Sequence, residues 1–367
     1  MRSIDANRMF LTTILAYLGV EVFVGFGVIV LGLSFDFVTL DLITEALFII
    51  PAFIFLLNAQ KYTGMDIAAQ TAIRKPEPVI MLLSAVYLLL LMPATSLINM
   101  ISMMFTENTI ESMEEEITAM PVWLTVFLIG VLGPAVEEFV FRGVILQSYL
   151  RDRPGRFGPV FLSSLLFGLV HMNLNQALYA FFVGIALGML CMITGSLIYP
   201  MVCHMLFNSI EAVMLYVVES DELNSLKGAA YYDALKESIA LMMIVSLVFT
   251  ALALCVLMCI RNICAKNRRQ DMRGSVVQQS FPPAGHVVYR QQMPLQPGVR
   301  PRRTPDLPPF IQGTGHYPGM QQPGVPGYQG RTDHPYGSAA LWEPEIVTPS
   351  VIVGMVICLM VIVLTEM

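Results

Sequence analysis

Two adjacent carboxylates and a guanidinium stand inside one apolar stretch, Glu137-Glu138-Phe139-Val140-Phe141-Arg142. Glu138 and Arg142 are four positions apart, so on a helix they lie one above the other and can pair. Glu137 is rotated about 100° from that face and cannot pair equally well. The spacing suggests two tasks: a buried structural pair, and a carboxylate left for proton transfer. An ionic staple using all three groups to hold helices together fits the cluster alone equally well.

Two further polar sites sit in apolar sequence. Phe167-Gly168-Leu169-Val170-His171 carries one histidine; His204-Met205-Leu206-Phe207-Asn208 puts a second on one face with Asn208, and Glu211 continues that face. The chain has five histidines, and His286, His316 and His334 lie in a proline-rich C-terminal stretch. The two histidines of the hydrophobic body thus accompany its Glu-Glu-Arg cluster. A desolvated glutamate can act as general base toward water. Two imidazoles and an amide can orient that water, stabilise an oxyanion or hold a metal. Glu137, His171 and His204 match a common catalytic zinc ligand set, so a divalent metal such as zinc is a candidate cofactor. No HExxH is present, and the three ligands would come from three helices. No serine or cysteine sits at a recognisable nucleophile motif, which leaves water activation as the economical chemistry.

The elements that must position these groups are membrane helices. Of 367 residues, 56% are hydrophobic and 13% charged, and mean hydropathy is +0.67. Soluble domains carry roughly 45–50% apolar and about 25% charged residues. That contrast excludes an ordinary cytosolic enzyme. The net charge of −6 offers no basic footprint for nucleic acid. The expected fold class is all-α, a polytopic transmembrane helix bundle in the lipid bilayer. A span needs roughly 20 apolar residues, and nine stretches qualify: 8–33, 42–59, 79–105, 121–149, 158–173, 176–194, 197–218, 239–260 and 347–365. The first is too long for a signal-peptide core and lacks a cleavage site, so it is expected to be retained. The six cysteines show no metal-type spacing and are expected as free thiols.

Positive charge collects in alternate loops. Arg2 and Arg8 precede the first span; Lys61, Arg74 and Lys75 follow the second; Arg151, Arg153 and Arg156 the fourth; Arg261, Lys266, Arg268, Arg269 and Arg273 the eighth. The intervening loops are acidic, with Asp36 and Asp41, then Glu107 and Glu111 to Glu116, then Glu219 to Glu222. The positive-inside rule then puts the N-terminus and 261–346 in the cytoplasm and the C-terminus outside. At about 1.5 Å per residue, Glu137 lies about 18 Å, His171 about 20 Å and His204 about 10 Å from the cytoplasmic ends. Orientation was fixed by lysine and arginine alone, so this agreement in depth independently supports a shared site.

Expected domains are 1–120, N-terminal spans; 121–215, the core bearing the polar sites; 216–265, an outer loop and the eighth span; 266–346, a disordered cytoplasmic tail; and 347–365, a last span. From Ser275 to Glu345 there are 13 prolines and 9 glycines in 71 residues, about 31%, a level typical of low-complexity disorder. The tail reads as a flexible tether or as a docking site for a proline-recognising partner.

EEFVFRG at 137–143, FGLVH at 167–171 and HMLFN at 204–208 together resemble the CPBP family of intramembrane endopeptidases. That family includes the type II CAAX prenyl protease (the Ras-converting enzyme type) and bacteriocin-processing and lysostaphin-resistance proteins. Phe182, Gly184, Gly188 and Thr194-Gly195-Ser196-Leu197 extend the likeness, which covers about 121–212. The resemblance implies that Glu137 activates water with His171, that His204 and Asn208 hold the oxyanion, and that Glu138 and Arg142 support the site. It implies a site open to the cytosol and a membrane-associated peptide or protein substrate, either CAAX-type or leader-bearing. Metal dependence is commonly attributed to the family, and a metal-free glutamate mechanism is equally compatible with these residues.

Two other readings stand beside an endopeptidase. One is a non-catalytic membrane protein that confers peptide (bacteriocin) immunity or regulates a partner. The other is a proton-coupled transporter, against which the absence of inverted repeats counts. Glu21 and Glu45, in the first two spans, could reach Arg142 or gate the cavity, but are expected to bond neighbouring helices and are left outside the site; Glu211 is expected at its outer rim.

Overall fold

The computed structural model describes residues 1–106, 114–153, 157–218, 229–280 and 347–365. It divides into a unit of Met1–Asp271 with Ala340–Met367 and a second of Met272–Ala339. Of the latter, the described residues hold only the end of one long helix, and the proline-rich tail lies outside them. So do the loop acids 107–113 and 219–228.

Apolar runs of membrane length become helices because a backbone without water must bond to itself. The main ones are α1 (Ser3–Leu31), α2 (Phe37–Thr63), α3 (Ile67–Gln70), α4 (Pro78–Leu89), α5 (Met92–Ser102) and α6 (Glu114–Thr118). They continue as α7 (Val122–Asp152), then α8 (Phe157–Leu169), α9 (Leu174–Thr194), α10 (Ile198–Val218), α11 (Ala229–Ser280) and α12 (Pro349–Thr365). There is no strand among the described residues. Counting α4 and α5 as one, seven of these helices are long and apolar enough to cross a membrane; α8 and α12 are shorter apolar helices. The chain is therefore an integral membrane protein, with nine apolar segments in the expected order.

Local chemistry sets several boundaries. Asp36 caps α2 by accepting from the Thr39 amide at 2.8 Å, and Asn173 caps α9 by accepting from the Gln176 amide at 2.9 Å. Gly195, at φ +72°, ends α9 in the left-handed conformation that glycine adopts without strain. The Thr194-Gly195 break expected from sequence is thus present. Pro93 divides the third span into α4 and α5. One feature differs from expectation. The stretch 266–280, assigned to a disordered tail, continues α11 as helix. Its Arg, Lys, Asn and Gln residues carry no proline to stop a helix, and Asn267 donates to Glu77 at 2.9 Å while Arg268 donates to the Ile193 carbonyl. The last span packs on the first. Gly354 of α12 packs on Phe10 of α1, and Asn7 donates to Thr348 at 2.8 Å.

The site-bearing helices approach unusually closely. A Cβ on Gly184 would lie 3.1 Å from Ser164, and one on Gly188 would lie 2.9 Å from Val160, so the four-residue glycine spacing of α9 does seat it against α8. A Cβ on Gly168 would meet the Ala177 carbonyl oxygen at 2.6 Å, and one on Gly130 would meet the Ser209 Cα at 2.9 Å. Backbone cannot yield as a side-chain tip can. Gly168→Ala is therefore expected to cost about 1–3 kcal/mol by overpacking, measured as a lowered unfolding midpoint in detergent micelles.

Candidate active site

The Glu-Glu-Arg cluster lies midway along α7, which is not a plain α-helix. Val126–Leu132 and Phe139–Ile145 are π-helical and flank the α-helical turn Gly133–Glu138. Such segments often mark functional sites because the extra residue re-aims the side chains that follow it. Here they bracket Glu137 and Glu138.

Glu138 is 0% exposed and Arg142 is 1% exposed. They form the expected pair, Nη1 donating to Oε1 at 2.6 Å. Arg142 Nη2 also donates to the Gly184 carbonyl at 3.2 Å, and its guanidinium carbon lies 4.2 Å from the centre of the Phe167 ring. Glu138 Oε1 also lies 3.1 Å from His204 Nδ1. An ionised carboxylate can only accept, so Nδ1 carries the proton. His171 Nδ1 lies 2.8 Å from the Phe167 carbonyl oxygen, which likewise fixes the proton on Nδ1. Both rings therefore turn Nε2 toward Glu137: His171 Nε2 is 3.8 Å from Oε1, and His204 Nε2 is 3.8 Å from Oε2.

Glu137, His171 and His204, predicted from three separate stretches, thus meet at one point. Asn208 lies one turn along α10 and donates to the Ile129 carbonyl at 3.4 Å. All four line a cavity of about 570 Å3 that also takes in Glu211. Glu138 and Arg142 are not among its lining residues and are buried.

Three features escaped the sequence reading. Phe167 stacks edge-on against His171 at 5.2 Å and His204 at 5.9 Å, so one ring sets both imidazoles and the guanidinium. Its four-residue spacing from His171 was the available signal. Glu45, expected to bond a neighbouring helix, lines the cavity, and so does Asp41. Finally, the cavity extends from Glu137 toward the starts of α2, α7 and α9 and the ends of α5 and α10.

The metal assignment to Glu137, His171 and His204 does not fit this geometry. Bonds of about 2.0–2.1 Å in a tetrahedron put neighbouring donors about 3.3 Å apart, and each glutamate–imidazole separation is 3.8 Å. Among the described residues no group of three or more His, Cys, Asp or Glu is placed to hold an ion.

Comparison with known proteins falls on this same segment. Residues 119–210 match the family described as "Type II CAAX prenyl endopeptidase Rce1-like", which agrees with the resemblance seen in the three motifs. The chain is also 28% identical over 109 residues to the "Putative membrane peptidase YdiL" of Bacillus subtilis (strain 168), a stretch that is 30% of this chain. The chain spans about 43% of the length of that relative. No solved structure matches. Glu137, Glu138, Arg142, His171, His204 and Asn208 fall in the matched segment, whereas Asp41 and Glu45 precede it and Glu211 follows it.

Proposed function

We propose that the protein is an intramembrane endopeptidase that hydrolyses a peptide bond of a membrane-associated protein or peptide with water activated by Glu137. The observation that carries this reading is the convergence of two Nδ1-anchored imidazoles on one carboxylate inside a cavity. The match to a CAAX-type endopeptidase family over 119–210 supports it.

The groups divide the reaction among themselves. Glu137 takes one proton from a water, and His171 Nε2 accepts a hydrogen bond from the other, which orients the oxygen. The hydroxide adds to the substrate carbonyl carbon. Asn208, through Nδ2, and His204, its ring held at Nδ1 by Glu138, hold the oxyanion. Donors placed in advance in a dry site are each worth about 10²–10³ in rate. On collapse the carbon–nitrogen bond breaks, and Glu137 passes its proton to the departing amine. The products are a carboxylic acid and an amine, between which the remaining hydroxyl proton passes to give a carboxylate and an ammonium, and Glu137 is again ionised.

The decisive experiment compares peptide termini in membrane and culture fractions of cells carrying the wild type or Glu137→Ala, at equal expression. The expected result is a neo-terminus found only with the wild type. Identical profiles, with a wild-type phenotype that survives Glu137→Ala, would replace hydrolysis by a binding or immunity role.

A further inference from the structure

The direction of the cavity carries information that its chemistry does not. Glu137, His171 and His204 form its inner end. From there every lining residue comes from one half of the bundle. Phe37 to Phe48 are the first turns of α2, Thr95 to Asn99 lie in the outer part of α5, and Gln176 to Val183 open α9. Leu128 to Pro134 lie in the first half of α7, and Asn208 to Leu215 in the second half of α10. In the other direction along α7, Glu138, Phe141, Arg142, Val144 and Ile145 are buried, none more than 1% exposed.

Six basic residues flank the other end of these helices. Arg8 begins α1, Lys61 ends α2, Arg74 and Lys75 precede α4, and Arg151 and Arg153 end α7. Lysine and arginine mark the cytoplasmic ends of membrane helices. We infer that the active-site cavity opens on the non-cytoplasmic face and admits a cationic peptide segment presented from that side. The walls supply the second half of the statement. Among the described residues Asp41, Glu45, Glu137 and Glu211 line the cavity, and no lysine or arginine does. Asp41 also keeps a buried Oδ2 without a hydrogen-bond partner. A lysine or arginine side chain, or a free amino terminus, complements such a wall; a carboxylate is repelled. The substrate class is then a basic, membrane-associated peptide that has already crossed the bilayer. This inference rests on the endopeptidase reading only for what becomes of the peptide.

Access can be read without hydrolysis. Thr44→Cys on α2 and Ser96→Cys on α5 place a thiol in the cavity, and Lys61→Cys places one at the basic end; Cys255 and Cys259, the exposed native thiols, are replaced by serine throughout. A charged, membrane-impermeant maleimide should label Thr44→Cys and Ser96→Cys in intact cells and Lys61→Cys only in inside-out vesicles. A short lysine-bearing peptide should slow labelling of Thr44→Cys severalfold. A glutamate-bearing peptide of equal length should not, and Asp41→Asn with Glu45→Gln should remove the protection. Labelling of the cavity thiols only in inside-out vesicles, or in neither preparation, overturns the inference, as does equal protection by both peptides. Outward labelling without a neo-terminus would instead leave the inference standing and sink the endopeptidase reading.

Discussion

Glu137→Gln is expected to lower kcat by about 10²–10⁴, the usual worth of a positioned general base, without lowering the unfolding midpoint. The two halves of this expectation come from different observations. The amide has nearly the same shape as the carboxylate but cannot take a proton from water, so the chemical step loses its base. Stability should hold because the Glu137 side chain makes no hydrogen bond among the described residues: the two Nε2 atoms lie 3.8 Å away, and the side chain is 26% exposed. The measurement uses a peptide spanning the cleavage position found by terminus profiling, turned over by the purified protein in micelles. KM should change little if Glu137 acts mainly in the transition state. A drop in kcat matched by unfolding would assign Glu137 a structural role and sink its assignment as base.

The contrast between Glu137 and its neighbour also explains how much of the site was legible beforehand. Helical periodicity separates the two glutamates by about 100°, and a four-residue spacing predicts the Glu138–Arg142 pair directly. Both depend only on one helix, so both could be read from the chain. The meeting of His171 and His204 depends on three helices, and the charge-derived depths placed them at similar levels without saying which nitrogen faces which carboxylate. That detail is set by the Phe167 carbonyl and by Glu138, contacts made in the fold. Asp41 and Glu45 illustrate the limit. They belong to no motif, and nothing in α2 distinguishes a carboxylate that faces a cavity from one that bonds a neighbouring helix. The π-helical turns of α7 were likewise invisible, because an added residue per turn leaves an apolar pattern apolar. The direction of the mouth required knowing which halves of eight elements share a surface.

The largest effect on stability should come from Arg142. Arg142→Met removes the 2.6 Å pair with Glu138, the bond to the Gly184 carbonyl and the stack on Phe167. It leaves a carboxylate that is 0% exposed, whose Oε2 already lacks a hydrogen-bond partner. Breaking a buried pair from one side costs about 3–5 kcal/mol because the remaining charge stays desolvated. The expected outcome is a much lower unfolding midpoint in micelles and poor recovery from membranes. The double variant Glu138→Met with Arg142→Met tests what the pair is for. Replacing both charges by apolar groups is often neutral or stabilising, so the midpoint should return toward the wild-type value. Activity should not return with it. Without Glu138, His204 Nδ1 loses the acceptor 3.1 Å away that fixes its proton and its ring, and Nε2 is no longer held toward Glu137. Recovery of both stability and turnover would mean that the pair is only a staple. Recovery of stability alone would mean that Glu138 acts on the reaction through His204, with Arg142 making its buried charge tolerable.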